Sequence, residues 1–399
     1  MIPGMKLSQV SAWGTAVLLM IAGTIAAGQE KMPWTLEPHV VASDLRGAYA
    51  VDAADINKDG KIDLIAVAGG TQQLIWFENP SWTRHVIATG ILGLINAAAA
   101  DTDKDGIPEI AIATGFATVP AKSTGVVTVY THGADVNEPW TAKEIDRAPA
   151  SHRLRFIDAE GNGRKWLINA PLAGVNAAVP DYKAQNTVYA YNPVDWKRQT
   201  VTDAEDGVMH GILATDWDGK GREALLTASF LGVHIHRYNN GKWTRTRLVE
   251  GYPAPWPGNG AGEVASVRTK GGRLLATMEP FHGNVAPRPD LEVVTYSGSG
   301  DKWSGRTVID KGLNYGHALV SVDLDGDGAD ELVAGYNGKP NGVNVYRRSA
   351  DGTWSKFVLE ENAMPGSGCT VADFNNDKRM DFACTGGTSL KWYENQPPK

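Results

Sequence analysis

The sequence predicts an all-β fold, a seven-bladed β-propeller of four-stranded blades, and three observations predict it. An acidic loop between two apolar runs recurs along the chain. Its clearest copy is Asp323-Leu-Asp-Gly-Asp-Gly-Ala-Asp-Glu331, with Ala318–Val322 before it and Leu332–Gly335 after it. A second series of short strands, each opened by a Trp and closing on two apolar residues, recurs at the same interval. The units are roughly 50 residues long, with room for about four short strands each, which is the signature of a propeller.

Taken in order, residues 1–28 read as a secretory leader outside the fold. Lys6 gives a short positive start, Ala16–Ala22 begins an apolar run, and Ala26-Ala27-Gly28 offers small residues for cleavage. The alternative is an uncleaved N-terminal anchor. Either way the propeller, over residues 32–396, is expected outside the cytoplasm, secreted or periplasmic, with no membrane contact once the leader is cleaved. Trp34–Val41 is a copy of the Trp strand that stands before the first acidic loop. The last unit stops at Lys391-Trp-Tyr-Glu394 without such a strand. The N-terminal copy is therefore expected to pair into that unit and close the ring, leaving no open edge.

The acidic loop carries oxygens at positions 1, 3, 5 and 9. The full copies are Asp55, Asn57, Asp59 and Asp63; Asp101, Asp103, Asp105 and Glu109; Asp323, Asp325, Asp327 and Glu331; and Asp373, Asn375, Asp377 and Asp381. Any single copy could be a plain polar turn, since Asp, Asn and Gly favour turns. Four copies with matching flanks point to hairpins wrapped around a hard cation. Calcium, with about six to eight oxygen ligands at loose geometry, suits them as a structural cofactor. The spacing is not that of an EF-hand, whose last acid lies farther along a loop held between helices. Two copies are worn. Asp158-Ala-Glu160-Gly-Asn162 has Trp166 at position 9, and Asp216-Trp-Asp218 is one residue short, with Glu223 expected to close it. A seventh place, Val267–Gly272, keeps the strand pattern without acids. The Trp strands after the first are Trp82–Ile87, Trp140–Ile145, Trp196–Val201, Trp243–Val249, Trp303–Ile309 and Trp354–Leu359.

Length alone, 399 residues, would suggest two or three domains, but the repeat overrides that prior. The net charge of −7 belongs largely to the loops, and no basic stripe argues for nucleic acid. Cys369 and Cys384 flank the Asp373 loop nearly opposite each other, so a disulfide and a pair of buried thiols both remain open. The oligomeric state is not readable.

With strands lettered A to D from the axis outward, the acidic A–B loops share one face, the bottom. The D–A and B–C connections share the other, the top. The residue six before the first Asp of a loop then lies at the top mouth of the central channel. It is Tyr49, His152, His210 and His317 in four blades, with Asn96 one place later in another. His282, in the B–C loop Met278–Asn284, rises on the same face. Together with Arg153 and Arg155 these side chains are expected to meet in one funnel, with Glu279 and Tyr315 close by. The register could be a packing feature of the channel, or a polar ligand site. His moves protons near neutrality, and Arg grips a carboxylate. A base beside such a clamp is what β-elimination from a uronate or a keto sugar needs, because the clamp stabilises the enolate-like charge. No Ser-His-Asp order, phosphate loop or dinucleotide fingerprint is present.

Phrases such as Asp323-Leu-Asp-Gly-Asp-Gly and Trp392-Tyr-Glu-Asn395 resemble the FG-GAP/VCBS repeat propellers, over nearly the whole chain after the leader. A narrower resemblance rests on Ser151-His-Arg-Leu-Arg-Phe156, Asn169-Ala-Pro-Leu-Ala-Gly174, Glu279-Pro-Phe-His-Gly-Asn284 and Tyr315-Gly-His-Ala-Leu319. These are similar to the propeller of the fungal aldos-2-ulose dehydratases and to the rhamnose–glucuronate lyases that act on plant gum. The resemblance implies a His base, which falls on one of His152, His210, His282 or His317. The chain departs from the dehydratases in leaving no room for the cupin domains that follow their propeller, which argues against a two-step dehydratase–isomerase activity. The expected function is an exported carbon–oxygen lyase acting on a carbohydrate. The alternative is a non-catalytic, calcium-stabilised propeller that binds glycan or protein.

Overall fold

The computed structural model describes residue 1 and residues 32–281 and 291–397. The leader expected over residues 1–28 falls, Met1 apart, outside them, and so does His282. Among the described residues no helix is long and apolar enough to cross a membrane. The chain forms seven antiparallel sheets of four strands, six of them built from consecutive strands. In the seventh, the N-terminal strand Thr35–Ala42 pairs with Ser389–Gln396 as its outermost member. The expected closure of the ring is thus present. Trp34 supports it by packing edge-on to Phe357 of the sixth blade, with centroids 5.3 Å apart.

The A strands line the axis: Ala48–Ala54, Asn96–Ala100, Ser151–Ile157, Met209–Thr215, Glu263–Thr269, Gly316–Val322 and Gly368–Ala372. Each contacts the A strands of both neighbouring blades around a closed circle. The B strands explain why parts of the sequence read as unbroken apolar runs. Leu332–Tyr336 and Phe382–Gly386 are buried throughout, because both faces of a blade pack against neighbours. The hydrophobic core therefore lies between blades, as where Ala265, Val267 and Met278 of blade 5 meet Leu319, Leu332 and Tyr346 of blade 6.

Polar latches join blades at their outer strands. Tyr191 donates to Asp146 of the preceding blade at 2.7 Å, Tyr346 to Asp310 at 2.6 Å and Tyr393 to Glu360 at 3.0 Å. Cys369 and Cys384 face each other across the seventh blade and form a disulfide, with Cα atoms 4.1 Å apart. Of the two alternatives left open by the sequence, the bonded one is present.

The acidic loops have a common internal order. The position-9 acid turns back and accepts the amide of position 2: Asp63 from Ile56 at 2.8 Å, and Glu109 from Thr102, Glu331 from Leu324 and Asp381 from Phe374, each at 2.9 Å. The position-1 acid accepts the amide five residues on, as Asp55 does from Gly60 and Asp323 from Gly328. Such bonds cost little to make, since these donors have no ladder partner in the turn. Glu223 does not close its own loop as expected. Its carboxylate accepts the Asp158 amide of the preceding blade at 2.6 Å, a tie between the two worn loops.

Candidate functional site

Four A strands begin with the same irregularity. Pairing with strand B skips Tyr49 between Ala48 and Ala50, His152 between Ser151 and Arg153, His210 between Met209 and Gly211, and His317 between Gly316 and Ala318. Each residue is thus the extra residue of a β-bulge, the device that re-aims one side chain without disturbing the strand below it. The A strands of blades 2, 5 and 7 pair without such a skip. Identical register in the sequence has become identical geometry at the mouth of the channel.

The four side chains converge. The rings of His152 and His210 are 5.1 Å apart, those of His210 and His317 4.9 Å, and those of Tyr49 and His317 5.1 Å. Tyr49 Oη lies 3.0 Å from His152 Nε2. The guanidinium of Arg153 stands over the Tyr49 ring, 5.4 Å from its centroid. Burial raises the Tyr49 pKa, and Arg153 opposes this only in part.

Arg153 is the hub. Its Nε donates to the carbonyl of His210 at 3.1 Å, and one terminal nitrogen lies 3.3 Å from both His210 Nε2 and Glu263 Oε1. His210 Nδ1 lies 2.6 Å from Glu263 Oε1. Arg153 only donates, so His210 Nε2 accepts from it and the neutral imidazole carries its proton on Nδ1. Burial, followed by the positive charge of Arg153, lowers the His210 pKa and keeps the ring neutral. Burial opposes the charge on Glu263, but His210 and Arg153 overcome it, and its pKa lies below the ordinary value. The site thus holds a buried Glu⁻/Arg⁺ pair with a neutral His wedged between them.

The other expected residues are dispersed. Arg155 lies farther down the same strand, and its guanidinium is opposed by Asp52 of blade 1. Asn96 lines the channel, and its side-chain oxygen accepts the Leu154 amide at 2.9 Å, holding blade 2 to blade 3. Glu279 is fully buried and turned outward within blade 5. There it meets Thr277 and Tyr296, and Arg306 at 2.9 Å. Tyr315 stands at the entry to the sixth A strand, half exposed, with φ +54°. Tyr49, Asn96, Arg153, Arg155, Glu263 and His317 border a channel cavity of about 270 Å³. Above the imidazoles, Phe116 and Phe281 form an apolar roof, with ring centroids 5.2 Å from His152 and His210 respectively.

Sequence reasoning missed Glu263 and Asp52. Glu263 begins the fifth A strand, where the absence of an acidic loop removes the landmark from which the register is counted. Asp52 sits inside an apolar strand and looks there like an isolated surface acid.

Residues 124–287 match the β-propeller domain of aldos-2-ulose dehydratase, and residues 55–112 and 323–384 match the FG-GAP-like repeat. The two FG-GAP matches begin at the first Asp of a loop. The aldos-2-ulose dehydratase of Phanerodontia chrysosporium is 24% identical over 294 residues. That match takes in 66% of this chain and 32% of the dehydratase, so it spans about a third of the relative's length. Among solved structures, BBS1N in complex with ARL6DN superposes with a TM-score of 0.57 at 13% identity, covering 91% of this chain and 97% of that one. Sqt1 of Saccharomyces cerevisiae superposes with a TM-score of 0.56 at 12% identity, covering 92% and 100%. These structures share the fold. The sequence matches carry FG-GAP-like repeats and a resemblance to the propeller of a sugar dehydratase, as the motifs implied.

Proposed function

We propose that this protein is an exported carbon–oxygen lyase that performs β-elimination on a uronate-containing or keto sugar at the mouth of the channel. One observation carries the reading: four bulged residues from four blades converge on one another, and two of them, Tyr49 and His210, meet the buried Arg153. The cavity of about 270 Å³ falls just below the roughly 300–1,000 Å³ range of drug-sized ligand sites, a size for one sugar ring. Arg153 and Arg155 hold the carboxylate or carbonyl and take up the negative charge that develops when the adjacent C–H proton leaves. An imidazole accepts that proton, and His317 is our choice because it borders the cavity and its ring packs on Tyr49. The Tyr49 hydroxyl, kept protonated by burial, protonates the departing oxygen on the β-carbon. His210 and Glu263 position Arg153.

Calcium in the four full loops is part of the same proposal. Asp101, Asp103 and Asp105, and likewise Asp323, Asp325 and Asp327, each bring a carboxylate oxygen within 4.8 Å of the others. Glu109 Oε1 and Asp323 Oδ1 are buried acceptors with no hydrogen-bond partner, which suits a bound cation. Positions 1, 3 and 5 would hold the ion, with the remaining oxygen of position 9 where it is free. The ion would neutralise the loop and fix the hairpin. It lies at the opposite end of the A strands from the imidazoles, so its role is structural.

The test is ultraviolet absorbance of unsaturated uronate while the purified chain is offered a panel of uronate glycans, with mass spectrometry for loss of water from keto sugars. The reading expects product from the wild type and a loss of about 100-fold or more in His317→Ala and Tyr49→Phe, with the fold retained. Full activity in His152→Ala, His210→Ala and His317→Ala together would rule it out. A second reading is favoured by burial: His152 and His210 are each 2% exposed beneath the phenylalanine roof. On that reading the cluster is a packed plug and the propeller binds glycan without turnover. Saturable binding with a flat absorbance trace would establish it.

A further inference from the structure

The fifth blade lacks the acidic loop, and the space that loop would fill is open. Only Lys270-Gly271 joins its A and B strands, whereas eight residues, 323–330, do so in blade 6. In five other blades a loop side chain reaches across to the C strand or its end. Asn57 donates to Glu78 at 3.1 Å, Asp105 meets His132 at 2.9 Å and Asp218 meets Arg237 at 2.9 Å. Asp325 meets Arg347 at 3.0 Å, and Asn375 donates to Glu394 at 3.2 Å. Among the described residues, no side chain of the blade 5 turn reaches its C strand in this way. Gly272, Arg273 and Leu274, at the bottom of its B strand, stay partly exposed, while the matching residues of blade 6 are buried. The result is a cleft of about 1210 Å³ between the bottom loops of blades 4 and 6.

Its lining differs from the rest of the chain. Six cations border it, Lys220, Arg268, Lys270, Arg273, Arg347 and Arg348, against four acids, Asp218, Asp327, Asp330 and Glu331. The local balance is positive on a chain of net charge −7. Arg273 donates to Ser266 Oγ and to the carbonyl of Asp216, both neutral oxygens, and its guanidinium stacks on Trp217. Trp217 and Trp303 pack 5.1 Å apart as the floor, with Trp303 half-buried. Ser297, Gly298, Ser299 and Gly300 form one wall.

We propose that this cleft is a second carbohydrate site, for an acidic oligosaccharide bearing uronate carboxylates. A ligand in the place of a carboxylate-rich loop meets Lys220, Arg273 and Arg348, which have no ion-pair partner among the described residues, beside Arg268, Lys270 and Arg347, which are paired with Asp330, Asp327 and Asp325. The half-buried Trp303 can stack against a sugar ring, with the buried Trp217 behind it, and the serine and glycine wall admits a flat chain with many hydroxyls. The volume exceeds that of a site for one small molecule, so several sugar residues fit. The cleft lies on the bottom face, away from the imidazoles, and the inference stands whether or not the channel is catalytic.

The experiment is isothermal titration of the His317→Ala protein, so that turnover in the channel does not consume the probe. The probe is a galacturonate hexamer, with a neutral galactose hexamer and poly-glutamate of equal length as controls. Saturable binding of the galacturonate hexamer is expected, at least about tenfold tighter than the neutral hexamer and weakening as salt rises. Lys270→Glu and Trp303→Ala should each weaken it about tenfold. Lys270 is 74% exposed, so its substitution keeps the test valid should Trp303→Ala fail to fold. No binding, equal binding of the neutral hexamer, or affinity untouched by Lys270→Glu would overturn the proposal. Tighter binding of poly-glutamate would reassign the cleft to an acidic peptide.

Discussion

Blades 5 and 6 are adjacent, share one topology and pack on a common core, yet they differ at both ends of the A strand. Blade 6 begins with a bulge that aims His317 into the channel and ends in a full acidic loop. Blade 5 begins without a bulge, presents Glu263 instead and ends in a two-residue turn. The four-stranded register between these ends is complete in both blades. The ladder and the inter-blade packing therefore do not depend on either device. The bulge and the loop are additions at the two rims, where a residue gained or lost does not shift the strand between them.

Substitutions can break this contrast. The largest effect is expected at Glu263. Glu263→Ala strands Arg153 in a buried site without its counter-charge, and equilibrium unfolding should show a loss of about 3–5 kcal/mol. A loss under about 1 kcal/mol would mean that the pair is not matched as described.

In blade 6, Asp325→Ala should remove the calcium-dependent stability of that blade. With calcium at about 100 times its dissociation constant the cost is about 2.7 kcal/mol per site, and in chelator it should largely vanish. Equal destabilisation in both conditions would show that Asp325 acts through Arg347 alone.

The next effect concerns pH. Burial, with Asp325 and Asp323 adding to it, pushes Glu331 up to about 8 from its ordinary 4.5. A folded-state pKa above the unfolded one gives stability that is fully present below pH 4.5 and lost as pH rises through about 8. In chelator, Glu331→Gln should therefore flatten the fall in melting temperature over that window. A profile identical to wild type would refute the assignment. Blade 5 has no counterpart to this carboxyl.

The smallest effect is at the seam. Arg268 of blade 5 grips Asp330 of blade 6 through its side chain at 2.7 and 2.9 Å and through its amide at 2.7 Å. The guanidinium is more than half exposed and the amide bond survives substitution, so Arg268→Ala should cost no more than about 1 kcal/mol. A larger loss in equilibrium unfolding would make this tie a structural clamp between the blades.

Most of the fold was legible because each signal is local and repeated. A loop such as Asp323–Glu331 orders itself by bonds between residues no more than seven apart, so its spacing records its shape. The Trp34 copy likewise identified the closing strand. The site was only half legible. His152, His210, His317 and Tyr49 share a countable distance from the loops, and the structure brings all four together. Glu279 shared a motif with them but is held by Arg306, because the side chain at the end of a B strand faces the outer strands of its own blade.

By itself the sequence determined the number of blades, the strand that closes the ring, the loops that order the bottom face and the register of four channel residues. All of these follow from periodicity along one chain. Only the tertiary structure decided that Glu263 serves His210 and Arg153, that Asp52 faces Arg155, that the imidazoles lie beneath Phe116 and Phe281, and that a missing loop opens a basic, tryptophan-floored cleft. These features join residues from different blades around a closed circle. Their spacing along the chain reflects how many blades lie between them, not the chemistry that pairs them.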